Sequence, residues 1–189
     1  MDYNFGYIEC SDSARRHFEC SDLLSKNKFY DIAIGHIILG SEESLKSLVY
    51  YSYTVDFLKI DNDPMIFKDH SIRHKYLAEI HSTWIEMLKI FIDNLPDDIK
   101  PTKSQLIETI NQKSESDVHL ITKWWKKANK VKNKGWYVTY ANGNWVIPKN
   151  VTEVDFREAY KMTLPLRLTT ILLNELRRRE KEVTISTKK

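Results

Sequence analysis

The sequence predicts an all-α bundle with a small β-hairpin inserted before its last helix, and three observations lead there. A helical stretch from about Phe29 to Leu58 is apolar on nearly every side, and apolar residues recur at the 3–4 spacing of a core-facing helix from about Ile66 to Asn94. Only five glycines occur in 189 residues, a composition that leans helical. The period changes to that of strands once, in the β-branched and aromatic runs Trp136-Tyr137-Val138-Thr139-Tyr140 and Asn144-Trp145-Val146-Ile147.

In chain order, Ser11 or Asp12 is expected to cap a first helix running to about Lys26, with Ala14, Phe18, Leu23 and Leu24 near one face. Asn27 breaks it. The second helix starts near Phe29, is apolar on nearly every side, and ends at Asp61-Asn62-Asp63-Pro64, since proline disfavours helix in the residue before it. A third runs from about Ile66 to Asn94, with Ile72, Tyr76, Leu77, Ile80, Trp84 and Met87 in its core stripe. Leu95-Pro96 to Pro101 is a boundary, and Thr102 to about Lys130 holds one or two further helices. Asn142-Gly143 accepts the positive φ of a tight hairpin turn, and Pro148 closes the second strand. Thr152-x-x-Asp155 approximates a capping box for the last helix, which Pro165 should kink or split. The tail from Glu182 is polar and is expected to fray. The expected organisation is one domain over residues 1–189: core helices at 10–95, then further helices at 102–181 with the hairpin at 135–148.

Composition excludes several classes. A formal net charge of +3 does not announce a nucleic-acid binder, although no acidic residue lies between Asp117 and Glu153. Cys10 and Cys20 form neither a metal spacing nor a disulfide framework, and a reduced, cytoplasmic chain is expected. The N-terminus lacks a signal peptide's basic and apolar regions, and no apolar run is long enough to span a bilayer. His70 and His74 stand four apart, but no His-Glu-x-x-His or other ligand spacing occurs, so neither metal nor cofactor is expected.

The candidate site lies where charge interrupts apolar helix. Glu42, Glu43 and Lys46 sit between Ile37-Ile38-Leu39 and Leu48-Val49, and a charge buried there must be paired. Glu42 and Lys46, four apart, are expected to meet on one face. Glu43 is turned about 100° away, and His70, Arg73, His74 and Lys75 of the next helix are its expected partners. Glu42, Lys46 and the His70–Arg73 region should then be neighbours across helices two and three. A histidine beside an arginine suits acid–base work with a phosphate clamp. A satisfied ion network, or a solvated helix start, explains the same residues without chemistry.

A second candidate is a nucleic-acid or partner-binding surface: Lys123, Lys126, Lys127, Lys130, Lys132 and Lys134, interleaved with Trp124 and Trp125, and the hairpin aromatics Trp136, Tyr140 and Trp145. An amphipathic helix with a core Trp pair and solvated lysines is the plainer account.

Several of these motifs together resemble the AbiV family of abortive-infection proteins, in the HEPN superfamily of helical domains. They are Ala14-Arg15-Arg16-His17-Phe18 with Asp22-Leu23-Leu24, Phe29-Tyr30, Glu42-Glu43-x-x-Lys46, Phe67-x-x-His70-x-x-Arg73, and Lys132-x-Lys134-Gly135-Trp136-Tyr137-Val138 with Trp145-x-x-Pro148. The resemblance covers roughly residues 10 to 175. It implies a HEPN-like bundle, and a phage-defence protein that shuts down translation in its own host when a phage-encoded protein triggers it. RNA or the translation machinery is the implied target, and a homodimer the implied assembly. Many HEPN domains are metal-independent ribonucleases with four to six residues between an arginine and a histidine. Here Arg73 and His81 have seven residues between them, so action by binding is expected. A HEPN-type ribonuclease or nucleotide-binding enzyme is the alternative, and a plain helical interaction module a third.

Overall fold

The computed structural model describes residues 2–54, 67–77, 115–137, 139–146 and 151–186. The order is α1 (Tyr3–Lys26), α2 (Tyr30–Thr54), α3 (70–77), α4 (Glu115–Trp136), β1 (Thr139–Ala141), β2 (Asn144–Val146) and α5 (Glu153–Ser186). This is the all-α bundle with one inserted strand pair that the sequence predicts.

Helix α1 starts a full two turns earlier than its expected cap. Asp2 is the N-cap, accepting the Phe5 N–H at 3.0 Å. The early turns are held because Tyr3 and Tyr7 pack their rings on Tyr50, Tyr51 and Tyr53 of α2. Lys28, at φ 65°, takes the left-handed conformation that turns the chain into α2.

Helix α2 is the axis of the bundle. Ile34, Ile38, Leu45 and Val49 face a core completed by Leu77 of α3, Trp124, Trp125 and Ala128 of α4, and Ala159, Met162, Leu166 and Leu172 of α5. Hydroxyls join the helices as well. Ser21 donates to the Ala33 carbonyl and Ser47 to the Tyr7 carbonyl, which sets α1 antiparallel to α2. Ser44 donates to the Leu166 carbonyl and accepts from Thr170, while Tyr30 reaches Glu153, so α5 runs parallel to α2. Arg167 and Arg177 of α5 pair with Asp22 and Asp12 of α1.

Close to the Ser21–Ala33 bond, α1, α2 and α4 meet around two imidazoles. His17 Nδ1 and His36 Nδ1 are 2.9 Å apart, and the Trp136 ring lies 5.7 Å from that of His36. Burial lowers the pKa of both imidazoles, with His36 adding to the effect on His17. Trp136 lies flat on Gly35, where a Cβ would stand 1.7 Å from its indole nitrogen.

Three element expectations change. Helix α4 continues through Trp136, so that residue is the end of a helix and not part of the first strand. Pairing is confined to Thr139–Val146, Tyr140–Trp145 and Ala141–Asn144, around Asn142 and Gly143 at φ 52° and 76°. Of the kink or split expected at Pro165, the split does not occur: one helix runs through it, with Met162, Thr163, Leu166 and Thr169 buried on both sides. It also runs past Glu182 to Ser186. The capping box is real: Thr152 N–H and Oγ1 both donate to Asp155 Oδ2, at 2.8 and 2.6 Å. The expected turn at 61–64, Trp84 and the boundary at 95–101 lie outside the described residues.

A buried carboxylate centre as the candidate functional site

Glu42 belongs to the core stripe of α2, in line with Ile38 and Leu45, and only 1% of it is exposed. A lone carboxylate there would be prohibitive. Four side chains from two other helices resolve the problem. Oε1 accepts from His74 Nε2 at 2.8 Å and Lys132 Nζ at 3.0 Å. Oε2 accepts from Arg73 Nε at 3.0 Å and stands in a short contact with His70 Nδ1. Burial alone would raise this carboxyl's pKa. The hydrogen bond from His74 and the charges of Lys132, His74 and His70 outweigh it and hold the group down at about 2.

The geometry assigns protons. Glu42 is ionised, so a ring nitrogen this close to its oxygens must carry hydrogen: Nε2–H in His74 and Nδ1–H in His70. Arg73 Nη2 and Lys132 Nζ lie 2.8 and 3.3 Å from His70 Nδ1, but as donors they cannot bond to a nitrogen that carries hydrogen, and the carboxylate of Glu42 is the acceptor all three share. A carboxylate offers about four lone-pair positions, and here all are taken. Glu42 therefore has no capacity left to act as a base or a metal ligand. It orients its partners.

Among them His70 differs. Arg73, His74 and Lys132 are buried, whereas the His70 side chain is 49% exposed. With Nδ1–H engaged by Glu42, the neutral form of this ring would carry its lone pair on Nε2. A carboxylate-held, half-exposed imidazole beside an arginine and a lysine can take or give a proton near an anionic group. Trp125 packs its ring 5.5 Å from that of His74 and closes the inner side of the centre.

The structure redistributes the expected partners. Glu42, not Glu43, takes the His70/Arg73/His74 cluster, because Glu42 shares the phase of the core stripe. Glu43 points toward the α1 side and pairs with Lys46 at 2.6 Å, next to Cys10. Burial, with Glu43 contributing, pushes the Cys10 thiol up to about 11. Lys46 thus has no place in the centre, and the expected Glu42–Lys46 pair is replaced by Glu43–Lys46. Lys132 is the member that sequence reasoning put elsewhere: it was expected on the cationic surface and is buried. A signal was available, since Trp125, Ala128 and Lys132 share one helical phase.

The second candidate surface is smaller than expected. Lys123, Lys126, Lys127 and Lys130 are exposed and share one face of α4, and Lys127 reaches Glu158 at 3.3 Å. Trp124 and Trp125 are core residues and cannot stack on a base. Trp136 is half-buried against Gly35 and donates Nε1–H to the Ile32 carbonyl at 3.4 Å, so the hairpin does not present it. Trp145 remains, 67% exposed in β2. The side chains of Lys134 and Tyr140 lie outside the described ones.

Among the described residues no helix is long and apolar enough to cross a membrane, and no group of three or more His, Cys, Asp or Glu could hold a metal ion. No curated protein and no solved structure matches the chain. The AbiV family model, of the HEPN type, matches residues 2–163, the span that contains the Glu42 centre, the lysine face of α4 and the hairpin. The chain therefore belongs to the AbiV family of HEPN domains, a family of abortive-infection, phage-defence proteins.

Proposed function

We propose that this protein acts in the cytoplasm as a homodimeric defence effector that shuts down translation in its own cell once a phage-encoded protein engages it, and that it does so by binding. The observation that carries this reading is the row of Lys123, Lys126, Lys127 and Lys130 on the open face of α4, whose opposite face is locked to the centre through Lys132 and Glu42. Such a row suits the phosphates of an RNA in the translation machinery. The exposed apolar side chains Phe5, Leu23, Phe29 and Tyr137 support self-association or capture of the activator. Replacing Lys126, Lys127 and Lys130 with Glu is expected to relieve host toxicity and to weaken RNA association most at low salt. Undiminished toxicity in that variant removes the binding surface from the reading. Light scattering at the mass of one chain removes the dimer.

One observation favours a second reading. The half-exposed imidazole of His70, held through Nδ1 by Glu42 beside Arg73 and Lys132, suits acid–base chemistry on a phosphodiester, although the arginine-to-histidine spacing of HEPN ribonucleases is missing. Incubating the purified protein with total RNA, with and without a candidate phage activator, separates the two. Cleavage abolished by His70→Ala establishes the enzyme; association without cleavage supports binding.

A further inference from the structure

The imidazoles of His17 and His36 have no part in the centre or the lysine face, yet their geometry is specific. They come from different helices, both are half-buried, and their Nδ1 atoms face each other at 2.9 Å with ring centroids 5.1 Å apart. In the metal-free protein one Nδ1–H donates to the lone pair of the other. Two nitrogens bound to one transition-metal ion at about 2.0–2.1 Å are separated by about 2.9–3.4 Å, for angles between square and tetrahedral. The observed separation lies at the edge of that range.

We propose that His17 and His36 form a two-imidazole site for a divalent transition-metal ion of the zinc, nickel or copper class, tying α1 to α2. Imidazole selects these ions over magnesium or calcium. Binding requires both Nδ1 lone pairs, so the ring that donated takes its Nε2–H tautomer. Its proton exchanges through solvent, and no net proton is released from two neutral rings. The nearest acids are occupied: Glu42 is saturated and Glu43 is paired with Lys46. No third His, Cys, Asp or Glu completes a cluster among the described residues, so water fills the remaining positions. Affinity is accordingly lower than in a four-ligand structural zinc site.

Trp136 supplies a reporter, with its ring 5.7 Å from that of His36. Titrating the full chain with Zn²⁺ in a calorimeter is expected to show one-to-one binding that is lost in His17→Gln and in His36→Gln and kept in His70→Gln. Co²⁺ should quench part of the tryptophan fluorescence, and that part should vanish in Trp136→Phe. Failure of Zn²⁺ to bind the unmodified chain at large molar excess overturns the proposal. So does binding that survives both histidine variants, or Co²⁺ quenching that is the same in Trp136→Phe. The unmodified chain carries the first of these outcomes, so a variant that folds poorly does not rescue the idea.

Discussion

Glu42 and Glu43 are the same side chain one residue apart on one helix, and their surroundings have almost nothing in common. Glu42 stands in the core, with four donors from α3 and α4 on its two oxygens. Glu43, 21% exposed, faces the α1 side and pairs with Lys46, one turn along. Chemistry and sequence position do not separate them. The turn of about 100° per residue does, because it puts one carboxylate into a dry, positively charged enclosure and the other at its wet edge. A carboxylate in the first setting becomes part of the frame, and one in the second remains an ordinary surface pair.

The contrast makes quantitative demands. Glu42→Gln should cost the most, about 3–5 kcal/mol in denaturant unfolding, because it leaves buried cations without their anion. A loss under 1 kcal/mol would mean the centre is far wetter than described. Acid should do the same without mutation. The folded-state pKa of Glu42 is lowered from 4.5 to about 2, so its contribution is complete above pH 4.5 and is lost as pH falls toward 2, amounting to about 3 kcal/mol. Glu42→Gln should flatten that part of the stability–pH curve, whereas Glu43→Gln should leave it in place. Lys132→Met removes one of four donors, and a charged hydrogen bond of this kind contributes about 1.5–3 kcal/mol. A double-mutant cycle with Glu42→Gln should show strong coupling between the two. Gly35→Ala tests the neighbouring contact, since its methyl would have to displace Trp136 at a cost of about 1–3 kcal/mol. Smallest of all is Glu43→Gln, about 1 kcal/mol or less, as for partly exposed ion pairs.

Much of this arrangement was legible in the sequence. Charge inside an apolar helix marked α2, and the basic cluster at His70–His74 marked its partner, because buried charge must be neutralised. The hairpin was marked by Asn142-Gly143. Which glutamate faced which neighbour was not legible from the i, i+4 rule, since that rule ranks surface pairs and Glu42 is not at a surface. Lys132 was hidden differently. It sits in a run of six lysines from Lys123 to Lys134, and only the phase inherited from Trp125 and Ala128 distinguishes it from its solvated neighbours. The same phase carries α4 on to Trp136, four residues farther, which is why a residue with strand-like neighbours ends a helix. Local composition and helical phase disagreed there, and packing against Gly35 favoured phase.

The serine hydroxyls along α2 have a consequence for uniqueness. A helix that is apolar nearly all round can slide or rotate against its neighbours with little change in buried hydrocarbon. Ser47 on the Tyr7 carbonyl and Ser21 on the Ala33 carbonyl act as keys between α1 and α2, and Ser44 with Thr170 and the Leu166 carbonyl does so between α2 and α5. Slipping α2 by one turn, about 5.4 Å, would strand all of these hydroxyls at once in a dry interface, where each unpaired group costs about 1–3 kcal/mol. A greasy central rod thereby becomes a notched one, admitting a single alignment of the helices that carry Glu42, His17 and His36.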